Sequence, residues 1–257
     1  MGAILTLKDI FFSYNSRTVL KNINMDILEG QVIGILGPNG SGKSTLLKLM
    51  DGILIPEKGK VLLKGKPIDK YNRIDIAREI AMVGQEDHFR FPFSVSEVVL
   101  MGRFPYTSSY RFENKRDLEV AHNALKLTNT LHLAKRSIHE ISGGERQRVF
   151  LARAIAQEPS IILLDEITSF LDIRFKREIL MLLASLKNKG ISMVIASHDI
   201  ELMARYCEKM VLLKDGDIYA MGRPDQVLTE ENISHVYECP VHVDKDPVDL
   251  NIRITIK

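Results

Sequence analysis

The apolar positions divide the chain into strand-like segments at its start and helical segments in its middle. Residues 4–14 and 19–28 alternate apolar and polar side chains, which predicts two half-buried strands. Residues 32–36 form a short, fully apolar run that ends at a glycine, as expected of a buried strand. A helix is predicted to begin at Ser44, and a further strand at residues 60–64.

The pattern becomes helical over residues 94–157. Residues 94–97 read S-x-x-E, the capping box that opens many helices. Leu118, Ala121 and Leu125 follow helical spacing and predict one buried helix face. This stretch therefore interrupts the strands with a group of helices.

Strands and a helix alternate again in the last third. Residues 161–164 and 193–197 are predicted strands, and residues 172–189 a helix that Gly190 ends. Asp215-Gly216 lies between two apolar runs, which favours a hairpin.

This alternation predicts an α/β fold with a mostly parallel sheet and helices on both of its faces. We expect an N-terminal antiparallel β subdomain and an α-helical subdomain inserted at about residues 88–158. Residues 1–257 are then a single domain.

Composition narrows the function. The 257 residues are 45% hydrophobic and carry a formal net charge of +2, so no global field favours nucleic acid, and no nucleic-acid partner is expected. The apolar runs are too short to span a bilayer. With two separated cysteines and no signal peptide pattern, the protein is expected in the cytosol, where a partner would hold it at any membrane.

One segment has the chemistry of a phosphate-binding loop. It matches G-x-x-x-x-G-K-[ST] between a predicted strand and a predicted helix. Its glycines let backbone N–H groups converge, the following helix adds a positive end, and Lys43 adds a full charge. Ser44 is expected to bind Mg²⁺. The predicted ATP-binding residues here are Gly37, Pro38, Asn39, Gly40, Ser41, Gly42, Lys43, Ser44 and Thr45.

A pair of carboxylates ends the predicted strand at 161–164. In open α/β sheets ligands bind at the carboxyl ends of strands, so Asp165 and Glu166 are expected beside the phosphate loop. Asp165 would support Mg²⁺ through water. Glu166 would position and deprotonate the attacking water.

A third motif, Ile141-Ser142-Gly143-Gly144-Glu145, resembles the signature of the ABC (ATP-binding cassette) ATPases, usually written LSGGQ. The other family motifs follow in the family's order over essentially the whole chain. They are Tyr14 for the aromatic that stacks on adenine, Gln85 for the glutamine that senses γ-phosphate and Mg²⁺, Ser169-Phe170-Leu171-Asp172 for the D-loop, and His198 for the switch histidine.

The resemblance implies an ATPase that works as a head-to-tail homodimer. ATP would lie between the phosphate loop of one subunit and Ser142, Gly143 and Gly144 of the other. Glu145 replaces the family's glutamine, Ile141 its leucine, and Ile167 the proline after the catalytic glutamate. Because Ser142-x-x-Glu145 is itself a capping box, we expect the Glu145 carboxylate to close the helix start and point away from phosphate.

Three kinds of ABC ATPase remain open: transporter subunits, DNA-repair or chromosome ATPases, and translation factors. The second kind usually separates the phosphate loop from the signature by long coiled coils, whereas here roughly 100 residues without heptads lie between them. The third usually carries two cassettes. A transporter subunit is therefore favoured, and an importer over an exporter because no membrane span is fused.

The segments 100–106 and 237–247 resemble the importer branch for iron–siderophore, haem and cobalamin uptake. The resemblance implies integral membrane permease partners, an indirect substrate-binding protein, and a peripheral position on the cytoplasmic side of the cell (inner) membrane. An importer of another small solute or metal chelate is the alternative.

Overall fold

A computed structural model describes residues 2–84, 91–107, 114–167, 172–247 and 251–257. The strands are β1 Ala3–Tyr14, β2 Arg17–Leu28, β3 Val32–Leu36, β4 Lys58–Leu63, β5 Lys66–Pro67, β6 Ile80–Val83, β7 Ile161–Asp165, β8 Ser192–Ala196, β9 Lys209–Lys214, β10 Asp217–Gly222, β11 Val241–Lys245 and β12 Ile252–Ile256.

The helices alternate with these strands. They are α1 Lys43–Met50, α2 Arg73–Glu79, α3 Val95–Leu100, α4 Lys115–Leu127, α5 Gly143–Ala156, α6 Ile173–Asn188, α7 Ile200–Tyr206, α8 Pro224–Val227 and α9 Glu230–Tyr237. Short 3-10 helices span Ile68–Lys70, Met101–Tyr106 and Leu131–Leu133.

A six-stranded sheet forms the centre, in the order β10-β9-β3-β8-β7-β6. All neighbours are parallel except β10, which pairs antiparallel with β9 across the predicted Asp215-Gly216 turn. β3, β7 and β8 are buried along their whole length, as their continuous apolar runs predict. The predicted α/β fold with a mostly parallel sheet is confirmed.

The N-terminal strands form a second, antiparallel sheet in the order β2-β1-β4-β5. Its apolar face and α1 share one core with the odd-numbered side chains of β3, such as Ile33 and Ile35. This face of the central sheet is therefore covered by the predicted N-terminal antiparallel β subdomain as well as by α1.

The other face of the central sheet packs against α5, α6 and the helices near residues 95–127. The capping box at Ser94 is present, with Glu97 accepting from the Ser94 backbone at 2.7 Å. The predicted stripe on α4 was wrong in one position: Ala121 and Leu125 are buried, but Leu118 is 53% exposed, because the buried face turns toward α3 and α5 instead.

The C-terminal end of α5 is held by two long polar side chains. Gln157 donates its amide to the carbonyl oxygens of Ala77 and Ile80, which joins α5 to α2 and β6. Arg103, only 2% exposed, pairs with Asp117 at 3.0 Å and donates to the Ala156 carbonyl at 2.7 Å. Arg103, within the segment 100–106 that resembles the iron–siderophore, haem and cobalamin importers, thus joins the end of α5 to α4 in this structure.

Candidate functional site

The phosphate loop curls because its glycines occupy conformations closed to other residues. Gly37 has φ +153°, and a Cβ there would lie 2.4 Å from the Leu213 carbonyl oxygen. Gly42 has φ +107°, caps α1, and leaves room for the Leu20 side chain, which would be 2.6 Å from a Cβ. The loop therefore links the end of the buried β3 to the positive end of α1, where an anion is stabilised.

The side chain of Lys43 folds back into the phosphate loop. It is 7% exposed, and its Nζ donates to the carbonyl oxygens of Gly37 at 2.9 Å and Pro38 at 3.1 Å. Burial lowers the pKa of Lys43, while the charges of Glu166 and Asp165 act in the opposite direction. A phosphate placed against this ammonium would favour the charged form further.

Ser44 and Asp165 form a pair suited to a magnesium ion. Asp165, 6% exposed at the end of β7, is hydrogen-bonded by Ser44 but leaves its buried Oδ1 without a hydrogen-bond partner among the described residues. Burial raises the pKa of this carboxyl, which the Ser44 hydrogen bond partly offsets. A hydroxyl and an unsatisfied carboxylate oxygen are the ligand types that Mg²⁺ takes, directly or through water, so the residues fit the ion.

Glu166 follows Asp165 with φ +53°, an uncommon conformation for a residue with a side chain. Its backbone N–H donates to Ala196 at 2.9 Å, which ties it to the end of β8. His198 lies just beyond β8, with its Nδ1 3.7 Å from Glu166 Oε2. Two neighbouring strand ends thus deliver a carboxylate and an imidazole to the same place, as the sequence predicts.

Lys43, Ser44, Glu166 and His198 line one cavity of about 1550 Å³, whereas Asp165 is not among its lining residues. Tyr14 stands at its edge, 44% exposed, with its ring edge-to-face on Phe12 at 4.9 Å between centroids. The cavity is lined by Tyr14, Asn15, Ser16, Arg17, Thr18, Val19, Lys21, Asn39, Gly40, Gly42, Lys43, Ser44, Thr45, Glu166, His198 and Asp215.

Sequence reasoning missed the residues that reach this cavity through pairing between distant segments. The turn that contains Asp215 is fixed to β2, because Lys21 donates its backbone N–H to the Gly216 carbonyl at 2.8 Å. Tyr237, in α9, lies behind the loop: burial raises the pKa of its hydroxyl to about 12, and the backbone N–H of Gly37 offsets part of that shift. The sequence predicts a hairpin at Asp215-Gly216 but does not indicate that this turn or Tyr237 lies near the phosphate loop.

The signature residues Ser142, Gly143, Gly144 and Glu145 are not among the described residues that line this cavity, and neither is Asp172. Ser142 caps α5 and Asp172 caps α6, where it accepts from the Phe175 N–H at 2.9 Å. The predicted capping box is confirmed. Glu145 Oε2 accepts from the Ser142 N–H at 2.8 Å and from its hydroxyl at 2.9 Å.

Those hydrogen bonds lower the pKa of Glu145, so its carboxylate is held charged at the helix start. It follows that the Ser142 hydroxyl is already used within its own helix. Gln85 and the D-loop residues Ser169, Phe170 and Leu171 lie outside the described residues.

The fold and the site together define a nucleotide-binding ATPase built on a phosphate loop. Among the described residues, no helix has the length and apolar character needed to cross a membrane.

Comparison with known proteins identifies the family to which the chain belongs. The family model described as ABC transporter matches residues 20–169, so the chain belongs to the ABC transporter family and binds and hydrolyses ATP. A hemin import ATP-binding protein of Pseudomonas putida is 38% identical, over 95% of this chain and 96% of that protein.

Two solved structures agree in fold. An ABC transporter assigned to the metal-chelate type, in an inward-facing conformation, gives a TM-score of 0.87 at 31% identity and covers 100% of this chain and 97% of that one. A dimeric bacterial ABC transporter cassette gives a TM-score of 0.75 at 30% identity, over 86% of this chain and 98% of that one.

Proposed function

We propose that this chain is the ATP-hydrolysing subunit of a membrane importer for a metal chelate of the iron–siderophore, haem or cobalamin kind. The observation that carries the ATPase chemistry is the cavity that Lys43, Ser44, Glu166 and His198 line together, with Asp165 hydrogen-bonded by Ser44. Residues 1–257 act as one ATPase domain, and the helical segment at 88–158 is an insertion into it.

In this proposal the triphosphate occupies the loop, where Lys43 exchanges the carbonyl oxygens of Gly37 and Pro38 for β- and γ-phosphate oxygens. Ser44 and Asp165 would hold Mg²⁺, which supplies charge neutralisation to those phosphates when it is bound. Glu166 orients the attacking water and accepts its proton. His198 hydrogen-bonds the γ-phosphate, Gln85 monitors it, and Tyr14 stacks on adenine.

The site is completed by a second copy of the chain. Support comes from the position of Ser142, Gly143 and Gly144, whose helix end suits an anion but does not line the cavity of its own chain. In a head-to-tail dimer the signature of each subunit covers the γ-phosphate held by the other. ADP lacks the γ-phosphate, so hydrolysis removes the contact with the partner's signature and favours the open dimer.

The importer role rests on the relatives. The hemin import protein matches this chain over nearly all of both sequences, and the metal-chelate type transporter matches it over its full length. We infer integral membrane permease subunits as partners, a substrate-binding protein acting through them, and a peripheral position on the cytoplasmic face of the membrane.

The test is reconstitution of this chain with candidate permease subunits and their substrate-binding protein. Proteoliposomes with ATP inside are offered haem, a ferric siderophore or cobalamin from the side of the binding protein. Uptake of one chelate that requires ATP and is abolished by Glu166→Gln supports the proposal. ATP hydrolysis without uptake of any chelate rejects the substrate class, and no hydrolysis in the intact complex rejects the ATPase assignment.

A further inference from the structure

The two glycines of the signature have different surroundings. An added Cβ at Gly143 would meet nothing within 4 Å among the described residues. At Gly144 it would lie 2.8 Å from Cδ2 and 2.9 Å from Cγ of Phe175. A contact below 3.0 Å would force the ring or the helix to shift, so Gly144 leaves open the space beside its Cα that the Phe175 ring occupies.

Phe175 is itself fixed at the start of α6. Its backbone N–H is capped by Asp172 at 2.9 Å, and its side chain is half-buried between α6 and α5. Since an N-cap hydrogen bond defines where a helix begins, the ring has a set position relative to Asp172.

A charged group on α5 also contacts the Phe175 ring. Arg148 lies one helical turn after Gly144 on the same face of α5, and its guanidinium carbon is 5.0 Å from the Phe175 ring centroid. Arg148 is 6% exposed and pairs with Glu178 of α6 at 2.7 Å. Phe175 is thus in contact with both Gly144 and Arg148, and Arg148 cannot leave without breaking a largely buried ion pair with Glu178.

We propose that Phe175 is a positioning residue that sets the placement of the Ser142–Gly144 helix end relative to Asp172 and α6. This rests on the proposed function, in which that helix end faces the partner's γ-phosphate. Phe175 is not among the described residues that line the phosphate-loop cavity. Its effect should therefore fall on turnover and not on the binding of ATP to the phosphate loop.

A size exchange tests the contact. We would compare wild type with Gly144→Ala, Phe175→Ala and the double variant, and use Gly143→Ala with and without Phe175→Ala as the matched control. For each protein, kcat and KM for MgATP are measured by phosphate release, ATP affinity by calorimetry, and folding by urea unfolding.

Gly144→Ala is expected to lower kcat by about 10- to 100-fold, since a displacement of roughly 1 Å at a reacting group has effects of that order. Phe175→Ala alone should lower kcat with the Kd for ATP unchanged, and Phe175→Leu should restore much of it. The double variant should recover several-fold over Gly144→Ala, because the added methyl group then has space. Adding Phe175→Ala to Gly143→Ala should not raise kcat.

Equal recovery of both glycine variants, or none for Gly144→Ala, overturns the proposal. So does a fall in ATP affinity that matches the fall in kcat for Phe175→Ala. If wild type binds no ATP and hydrolyses none, the proposed function fails instead. The contact between Gly144 and Phe175 is then tested by urea unfolding alone. It is refuted if the double variant loses as much free energy of unfolding as the two single variants added together.

Discussion

The phosphate-loop cavity and the signature end of α5 are both helix N-termini, yet they are built differently. In the first, the charged groups are buried: Lys43 is 7% and Asp165 6% exposed, and several strand ends converge on them. In the second, Ser142 and Gly143 are exposed, and the Ser142 hydroxyl is used by its own helix.

This difference indicates how nucleotide binding and turnover are divided between the two regions. The cavity presents fixed charges before any ligand arrives, which is what tight phosphate binding requires. At the signature the one carboxylate, Glu145, is already hydrogen-bonded to Ser142, and the surface presented is an exposed helix end, which suits a contact that must form and break. Binding should therefore depend on the first region and turnover on both.

The largest expected effect separates binding from chemistry inside the cavity. Glu166→Gln should slow ATP hydrolysis by about 10²- to 10⁴-fold, because the proton of the attacking water loses its acceptor. The Kd for MgATP, measured by calorimetry, should stay within a few-fold of wild type. Hydrolysis at the wild-type rate in a preparation free of contaminating ATPases would contradict the role of Glu166.

Lys43→Ala should weaken ATP binding by roughly 10- to 100-fold, since a hydrogen bond from a charged donor is worth about 1.5–3 kcal/mol. Titration calorimetry measures this directly. Ser142→Ala, at the other region, is the matched control and should leave ATP binding to the isolated subunit unchanged. Equal losses for both variants would remove the distinction between the two regions.

A pH-dependent effect is expected at the far end of α1. Burial raises the pKa of Asp51 from 3.8 to about 6. The folded state then holds this proton more tightly than the unfolded state, so the stabilisation is complete below about pH 4 and is lost as the pH rises through 6.

Asp51→Asn should therefore raise the free energy of unfolding by about 2 kcal/mol at pH 7.5 and change it little at pH 4. Urea unfolding at the two pH values measures this. The exposed Asp69→Asn serves as control and should show no such pH dependence. A gain that is equal at both pH values would place the cause elsewhere.

The smallest effect concerns the capping box of α5. Glu145→Ala should lower the free energy of unfolding by about 1 kcal/mol, because the Ser142 N–H loses its acceptor. Glu145→Gln can form the same box and should be close to wild type in urea unfolding. A loss as large for glutamine as for alanine would mean that charge, and not capping, is what matters at this position.

The phosphate loop, the end of β7 and the capping box of α5 could be predicted because each is encoded within a few consecutive residues. The strands β3 and β8 could be predicted from their apolar runs, which are also encoded within a few consecutive residues. The burial of Leu118 could not be predicted correctly, since spacing identifies a helix face but not which neighbour covers it.

Contacts between distant segments stayed hidden. The fixing of the Asp215 turn to β2, the approach of Tyr237 to Gly37, and the ring of Phe175 against Gly144 each join residues far apart in the chain. The β11–β12 hairpin was not predicted either, because its pairing from Val241 with Ile256 depends on the same kind of contact. The roles assigned to the site residues remain predictions.

Gln157 and Arg103 anchor the C-terminal end of α5, whereas the signature lies at its N-terminal end. Its 14 residues span about 21 Å at 1.5 Å per residue. A tilt of only about 10° at the anchored end would carry Ser142 through nearly 4 Å, more than the length of a hydrogen bond. Because Phe175 and the Arg148–Glu178 pair join this end of α5 to α6, a rotation of that size taken by the two helices together would bring Ser142 into or out of reach of a neighbouring phosphate.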